Sequence, residues 1–226
     1  MPQATVHLLR HGEVHNPDGV LYGRLPEFHL SELGQEMART LAEHFSRRAA
    51  GGARITYLAA SPLDRAQETA RPTSDALKLQ IHTDERIIEA ENYFEGMKVT
   101  KAELRRPKHW PRLVNPLRPS WGEPYKNQAS RVMEAVQDAR LRAIELAAGD
   151  FGTEGPEAIM VSHQLPIWAT RLSAEGKPLW HDPRKRECTL TSITSLVFDD
   201  AGTLLRVQYS EPAASLLPGA SSTPGA

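Results

Sequence analysis

The segment Val6-His7-Leu8-Leu9-Arg10-His11-Gly12-Glu13 constrains this chain more than any other stretch of it. A short apolar run ends abruptly in an arginine, a histidine and a glycine. This is the pattern of a buried strand that delivers a reactive side chain to the rim of a parallel sheet. Gly12 is expected to let the backbone leave the strand at an angle that a Cβ disfavours. Arg10 offers a planar fork of donors suited to phosphate, and His11 beside it can attack or shuttle a proton. An Arg-His-Gly triplet alone is a weak motif; its place at a strand's C-terminal end gives it weight.

Further apolar, β-branched-rich runs at Ala4–Leu9, Ile55–Ala59, Ala158–Ser162 and Ile193–Phe198 read as strands, with Leu79–His82 as a weaker one. Leu33, Met37, Leu41 and Phe45 recur every fourth residue after Ser31, an N-cap type, and mark an amphipathic helix. Val132, Val136, Ala139, Ala143 and Leu146 mark another, with Gly149 as its stop. Strands alternating with helices predict an α/β fold: a three-layer α/β/α sandwich around a mostly parallel sheet. Asp199-Asp200-Ala201-Gly202 is a turn, so Ile193–Phe198 and Thr203–Tyr209 are expected to close the sheet as a hairpin. Residues 1–210 then form one domain, a size that buries a full core. The Pro-, Ala-, Ser- and Gly-rich stretch 211–226 reads as a disordered tail.

Residues 96–127 break the pattern. Pro107, Pro111, Pro116, Pro119 and Pro124 stand among Lys98, Lys101, Arg105, Arg106, Lys108, Arg112 and Arg118. A long insert of this kind in a regular α/β chain is expected to act as a lid or specificity loop for an anionic ligand, against the alternative of a solvated basic surface. Trp110 and Trp121 either line that lid or pack it.

The chain as a whole carries a formal charge of -1, which exerts no global pull on nucleic acid or on an anionic membrane. Cys188 is the single cysteine, so no internal disulfide forms, and it is expected to be an inert buried thiol. No apolar run approaches a membrane span, and the first strand begins too early to leave room for a signal peptide. These features predict a cytoplasmic enzyme.

Four other places supply chemistry to match the first. Ser61-Pro62-Leu63-Asp64-Arg65-Ala66-Gln67-Glu68-Thr69-Ala70 follows the second strand and opens a helix, where Arg65 can close on a phosphate. Val161-Ser162-His163-Gln164 ends another buried strand, so His163 is expected at the same sheet edge as His11. Glu89 lies in Ile88-Glu89-Ala90-Glu91-Asn92-Tyr93-Phe94-Glu95-Gly96, and Tyr22-Gly23-Arg24 follows shortly after the first motif.

Together these motifs resemble the histidine phosphatase superfamily, the group that includes cofactor-dependent phosphoglycerate mutases and many small-molecule phosphatases. The resemblance runs from about Thr5 to Tyr209. It implies a phosphoglycerate mutase-like fold in which His11 accepts the phosphoryl group. It further implies that Arg10, Arg65 and His163 hold the phosphate oxygens, that Glu89 is the general acid, and that no metal or other cofactor takes part. Asn16 resembles the family's phosphate-contacting asparagine, though it stands one residue closer to Gly12. Gly23, Arg24 and Gln164 are expected on the substrate side, Arg24 standing open between a substrate contact and a solvated charge.

Other readings compete at several positions. His7, His11 and His15 are spaced as a metal-binding helical face would be, but the strand through His7 and the residues Gly12 and Pro17 oppose such a helix. His7 is expected to pack or to meet a partner side chain. Glu91 competes with Glu89, whose spacing to Glu95-Gly96 favours it as the acid. The family's mutases carry an Arg-His-Tyr-Gly run after the acid; here it reads Ala90-Glu91-Asn92-Tyr93. That departure favours a phosphatase acting on a small phosphomonoester through a phosphohistidine, ahead of a mutase and of a phospholigand-binding protein with degenerate catalysis. Gln164 stands where the family commonly has glycine, and with Pro166 and Trp168 it points to a different substrate preference.

Overall fold

The computed structural model describes residues 3–112, 121–152 and 154–220. Its strands are β1 (Ala4–Arg10), β2 (Arg54–Ala60), β3 (Ile81–Thr83), β4 (Pro156–Ser162), β5 (Ile193–Phe198) and β6 (Leu204–Ser210). Its helices are α1 (Glu32–Ala50), α2 (Asp64–Leu77), α3 (Lys101–Leu104), α4 (Tyr125–Ala147) and α5 (Gln164–Ala174). The strands form one sheet in the order β3-β2-β4-β1-β5-β6. β3, β2, β4 and β1 run parallel, while β5 lies antiparallel to β1 and makes a hairpin with β6.

Both faces of the sheet are covered, as the nearly unbroken apolar runs of β1 and β4 require. Val6 and Leu8 of β1 pack with Ala158 and Met160 of β4 against Val132, Val136 and Ala139 of α4. Leu9, Ile159 and Val161 face the other way, onto Leu41 and Phe45 of α1 and Ala66 and Ala70 of α2. The period-2 alternation of a strand thus splits one apolar run between two cores. Phe45 has no exposed surface, and truncation to alanine is expected to cost about 3–5 kcal/mol.

β1 and β4 are adjacent and in register, with Arg10 opposite Ser162, so His11 and His163 leave the sheet side by side. This is the carboxyl edge at which the strand order reverses, the usual place for a site in such sheets. Ser31 caps α1 by accepting the Gly34 N–H, and its hydroxyl donates to Glu13 at 2.5 Å. That bond ties the helix to the loop after β1.

Several expectations need correction. Gly12 is required by close approach rather than by an unusual backbone angle, because a Cβ there would stand 2.6 Å from the Gly34 carbonyl oxygen. α4 stops at Ala147, with Ala148 left-handed at φ +49°, one residue before Gly149, and Leu146 is half exposed rather than core. Residues 211–220 of the expected disordered tail are structured. Glu211 accepts from Tyr209 and Thr189, Ala213 is buried, and Ala214–Gly219 form a 3-10 turn beside Leu33. Residues 221–226 lie outside the described residues.

The 96–127 insert holds α3, a 3-10 turn at Pro107–Arg112, and the first turn of α4. His109 is fully buried against Phe94 and Tyr93, and its Nε2 meets Glu103 at 3.0 Å. Arg106 and Lys108 also pair with Glu103, so two of the segment's cations are engaged within it. Pro116, Arg118 and Pro119 lie outside the described residues. Trp110 is exposed, while the Trp121 carbonyl accepts from the Tyr93 N–H.

Candidate active site

His11 and His163 are both fully buried, with ring centroids 5.2 Å apart. The His11 Nδ1 lies 2.8 Å from the Gly12 carbonyl oxygen. A carbonyl can only accept, so Nδ1 carries the hydrogen and Nε2 holds the free lone pair. That Nε2 is buried and has no hydrogen-bond partner. Burial first, and then Arg65 and Arg10, hold the His11 pKa well below its usual 6.5, against the opposing pull of the Gly12 carbonyl. The imidazole is therefore held neutral, with a lone pair on Nε2 that is chemically able to attack.

His163 has the opposite arrangement. Its Nε2 meets the Ser61 hydroxyl at 2.8 Å and its Nδ1 is buried without a partner. The Ser61 hydroxyl can donate to or accept from Nε2; where it donates, Nδ1 carries the hydrogen and is an unpartnered donor, the form that a phosphate oxygen would select. Burial, followed by Arg65, His11 and Arg10, lowers this pKa too. Ser61 begins the Ser-Pro-Leu motif at the end of β2. Its part in fixing the His163 tautomer is legible only once β2 and β4 are seen to be neighbours.

Two guanidinium groups act on His11. Arg65, in the first turn of α2, is 1% exposed; it lies over the Tyr22 ring at 4.7 Å and donates to the Gly23 carbonyl. Arg10 donates from Nη1 to the Cys188 carbonyl at 2.8 Å. The Nε atoms of both are buried without acceptors. Orphaned donors of this kind are rare in folded interiors, and here they belong to adjoining residues.

Glu89 completes the group. It is 2% exposed; Oε1 accepts from the Ala90 N–H at 2.7 Å, and Oε2 is buried without a partner. Burial raises its pKa, while the Ala90 N–H and the charges of Arg65, Arg186 and Arg10 pull the other way without cancelling the rise. Burial thus favours the neutral carboxyl, and the unpartnered Oε2 is the oxygen left free to carry a proton. Glu91, by contrast, is an exposed partner of Arg24.

The histidine phosphatase superfamily (branch 1) sequence profile matches residues 6–210. The chain belongs to that family. It is 48% identical over 217 residues to the uncharacterized protein Rv0525 of Mycobacterium tuberculosis, covering 95% of this chain and 100% of that one. It is 30% identical over 163 residues to the bifunctional protein Rv2228c of the same organism, covering 71% of this chain but 41% of that protein. Among solved structures, the mycobacterial glucosyl-3-phosphoglycerate phosphatase Rv2419c superimposes with a TM-score of 0.72 at 23% identity, over 92% of this chain and 97% of that one. A mutant phosphoserine phosphatase from Entamoeba histolytica, in complex with phosphoserine, gives 0.67 at 20% identity, over 93% and 98%. At these identities the structures bear on the fold, which is the three-layer, phosphoglycerate mutase-like sandwich.

Within this histidine phosphatase the expected substrate-side residues behave differently from the core five. Arg24 is not available to an anion: Nε donates to the Glu89 carbonyl at 2.6 Å, Nη1 pairs with Glu91 and Nη2 with Glu123. It clamps the backbone of the acid. Asn16 bonds both polar ends of its amide to the Val20 backbone, closing the loop after β1. Gly23, at φ +40°, lends its carbonyl to Arg65. Gln164 donates to the Cys188 carbonyl at 3.2 Å and accepts from Arg186 at 3.3 Å, so its amide is engaged on both sides. Cys188 is a buried thiol whose pKa burial raises; its carbonyl matters here rather than its sulfur.

Arg186 went unread in the sequence. It belongs to the basic run Arg184-Lys185-Arg186, which by charge alone looks like solvated loop. The available signal was its place just ahead of β5, the strand that pairs with β1 beside the Arg10-His11 motif. No group of three or more His, Cys, Asp or Glu side chains suited to a metal occurs among the described residues. No described helix is long and apolar enough to cross a membrane.

Proposed function

We propose that this histidine phosphatase-family chain hydrolyses a small phosphomonoester through a phosphohistidine on His11. The observation that carries the reading is the His11 Nε2, buried, unpartnered and tautomerically fixed as a lone pair beside unpartnered donors on Arg10, Arg65 and His163. Hydrolysis of phosphate monoesters is among the slowest uncatalysed reactions, so concentrated positive charge at the transferring group is the main requirement. Arg10 and Arg65 supply it permanently, and the His163 Nδ1–H adds a third donor.

In the first half-reaction Nε2 attacks phosphorus and the bond to the leaving oxygen breaks. That oxygen keeps the electron pair and takes the proton held on the Glu89 Oε2. In the second, a water loses its proton to the Glu89 carboxylate as it attacks phosphorus. The P–N bond breaks, its electrons return to Nε2, and inorganic phosphate leaves with Glu89 protonated again. The side chains themselves supply the charge, so activity is expected to survive chelation by EDTA. The mutase reading is weaker, because the residues after Glu89 lack the arginine that grips a mutase substrate.

The test is acid-quench trapping with a labelled phosphodonor. An acid-labile phosphoramidate on His11, absent from His11→Ala along with turnover, supports the proposal. Full turnover by His11→Ala overturns it.

A further inference from the structure

We infer that Arg186, seated by Gln164, Tyr125 and His181, is the binding group for a second anion carried on the leaving group, so that the preferred substrates are phosphomonoesters bearing a carboxylate or another acidic group. This rests on the phosphatase reading above and extends it to substrate class.

Near the site, Arg24 is neutralised by Glu91 and Glu123, and Arg131 by Glu123. Arg186 is not neutralised. Its Nε donates to the His181 Nε2 at 2.9 Å, Nη1 donates to the Gln164 Oε1 at 3.3 Å, and a further bond reaches Tyr125. Among the described residues every one of these partners is neutral. His181 acts purely as an acceptor toward Arg186, because its Nδ1 donates to the Leu179 carbonyl at 2.8 Å. Arg186 is partly buried, and that burial lowers its pKa. A desolvated cation with neutral partners is costly unless an anion completes it.

Position follows from the hydrogen bonds. The Cys188 carbonyl accepts from Arg10 and from Gln164, and Gln164 in turn accepts from Arg186. Arg186 is thus one side chain away from the phosphate-facing Arg10. It lies on the acid's side of the site. Arg186 and Glu89 act on each other electrostatically, which keeps the guanidinium near the carboxyl. The leaving group departs on the Glu89 side.

The count of charges agrees. With Glu89 in the proton-donating form that its proposed role requires and that burial favours, Arg10, Arg65 and Arg186 bring three positive charges against the close to two negative ones of a bound phosphomonoester. One positive charge remains, and it stands where the leaving group would place a substituent. Trp168 lies four residues along α5 from Gln164 and so on the same helix face. Its ring meets His181 edge-on at 6.0 Å, and its Nε1–H is buried with no acceptor.

A matched pair of probes isolates the second anion: 3-phosphoglycerate and glycerol 3-phosphate differ only by a carboxylate in place of a hydroxymethyl group. Wild-type protein is expected to favour the carboxylate. Arg186→Met should raise KM for 3-phosphoglycerate about 30-fold, as for loss of a charged hydrogen bond, while glycerol 3-phosphate shifts less than about 3-fold. Arg186→Lys keeps the charge without the fork and should recover part of the preference, which keeps the test decisive if the methionine variant folds poorly. Calorimetric titration of the same pair into His11→Ala reads the subsite without turnover. Equal losses for both probes, or no preference in either assay, would overturn the inference. Retained binding preference in a protein that turns over neither probe would overturn the phosphatase reading alone.

Discussion

β1 carries one histidine at its centre and delivers another just past its carboxyl end, and the two have been settled in opposite ways. His7 is 5% exposed; its Nε2 donates to Glu157 at 3.0 Å and its Nδ1 meets the Ser195 hydroxyl at 2.8 Å. Glu157 is itself completely buried and held by a forked bond from Arg48. Burial pushes the Glu157 carboxyl up, but the bonds from His7 and Arg48 more than reverse this and bring its pKa down to about 2. Four residues on, His11 keeps an unpartnered nitrogen among cations. The first cluster is closed, with every charge answered from within the chain. The second is open and withholds its answers for a ligand. Completed polar networks hold a fold together, whereas incomplete ones mark the places where stability is given up for chemistry.

The comparison can be broken most directly by exchanging effects between the two ends. His11→Ala is expected to lower kcat by at least about 10³-fold, since it removes the atom proposed to attack phosphorus, while leaving the thermal midpoint within a few degrees. Steady-state kinetics and a calorimetric melt on the same sample measure both. A large loss of stability with modest loss of rate would mean that His11 is a structural residue like His7.

The converse variant is Glu157→Gln. Breaking a buried pair strands its partners, and about 3 kcal/mol of stability is expected to go, while kcat per folded molecule stays within about 2-fold. Denaturant titration reports the first and active-site-normalised kinetics the second. A selective loss of rate would place the His7 cluster within the catalytic machinery.

Dependence on pH separates the ends further. Glu157 falls from an ordinary 4.5 to about 2 in the folded protein. The resulting stabilisation, about 3 kcal/mol, is complete above the unfolded value and vanishes as pH falls from about 4.5 toward 2. Glu157→Gln should flatten that acid limb of stability. Glu89 is shifted the other way, and its proton-donating form is lost as pH rises through the raised value. kcat/KM for substrates with poor leaving groups should therefore decline on the alkaline side, and Glu89→Gln should abolish that limb while sparing activated aryl phosphates. An unchanged alkaline limb in Glu89→Gln would assign the proton to another group.

The smallest expected effect belongs to the insert. Arg106 and Lys108 already pair with Glu103, so neutralising both should change KM for multiply charged phosphates less than about 2-fold. Its salt dependence should barely move. A large change would show that these cations act on substrate despite their internal partners.

Much of this molecule is legible in local sequence. The apolar run into Arg10-His11, the fourfold repeat after Ser31, and the strand into Ser162-His163 each report burial and direction within a few residues, where period and capping chemistry act. The catalytic candidates follow because a strand end fixes where its next side chain emerges. Arg24 and Asn16 misled for a physical reason: a polar side chain near a motif has the right chemistry for a ligand, but its charge or amide is spent on Glu91, Glu123 or Val20, residues chosen by the fold. The tail misled because composition reports missing hydrophobic area, whereas Glu211 is held by two hydroxyls.

By itself, then, the sequence determined the class of sheet, the two histidines at its edge and the arginines beside them, since a strand end or the first turn of a helix fixes where its side chain emerges. Which charges stay unpaired was decided by the tertiary structure. The neutral tautomer of His11, the raised pKa of Glu89, the Ser61 bond that orients His163 and the uncompensated Arg186 all depend on contacts between distant segments. Desolvation and Coulomb energy are sums over neighbours in space, and only folding brings β2, β4, α5 and the approach to β5 close enough to set them.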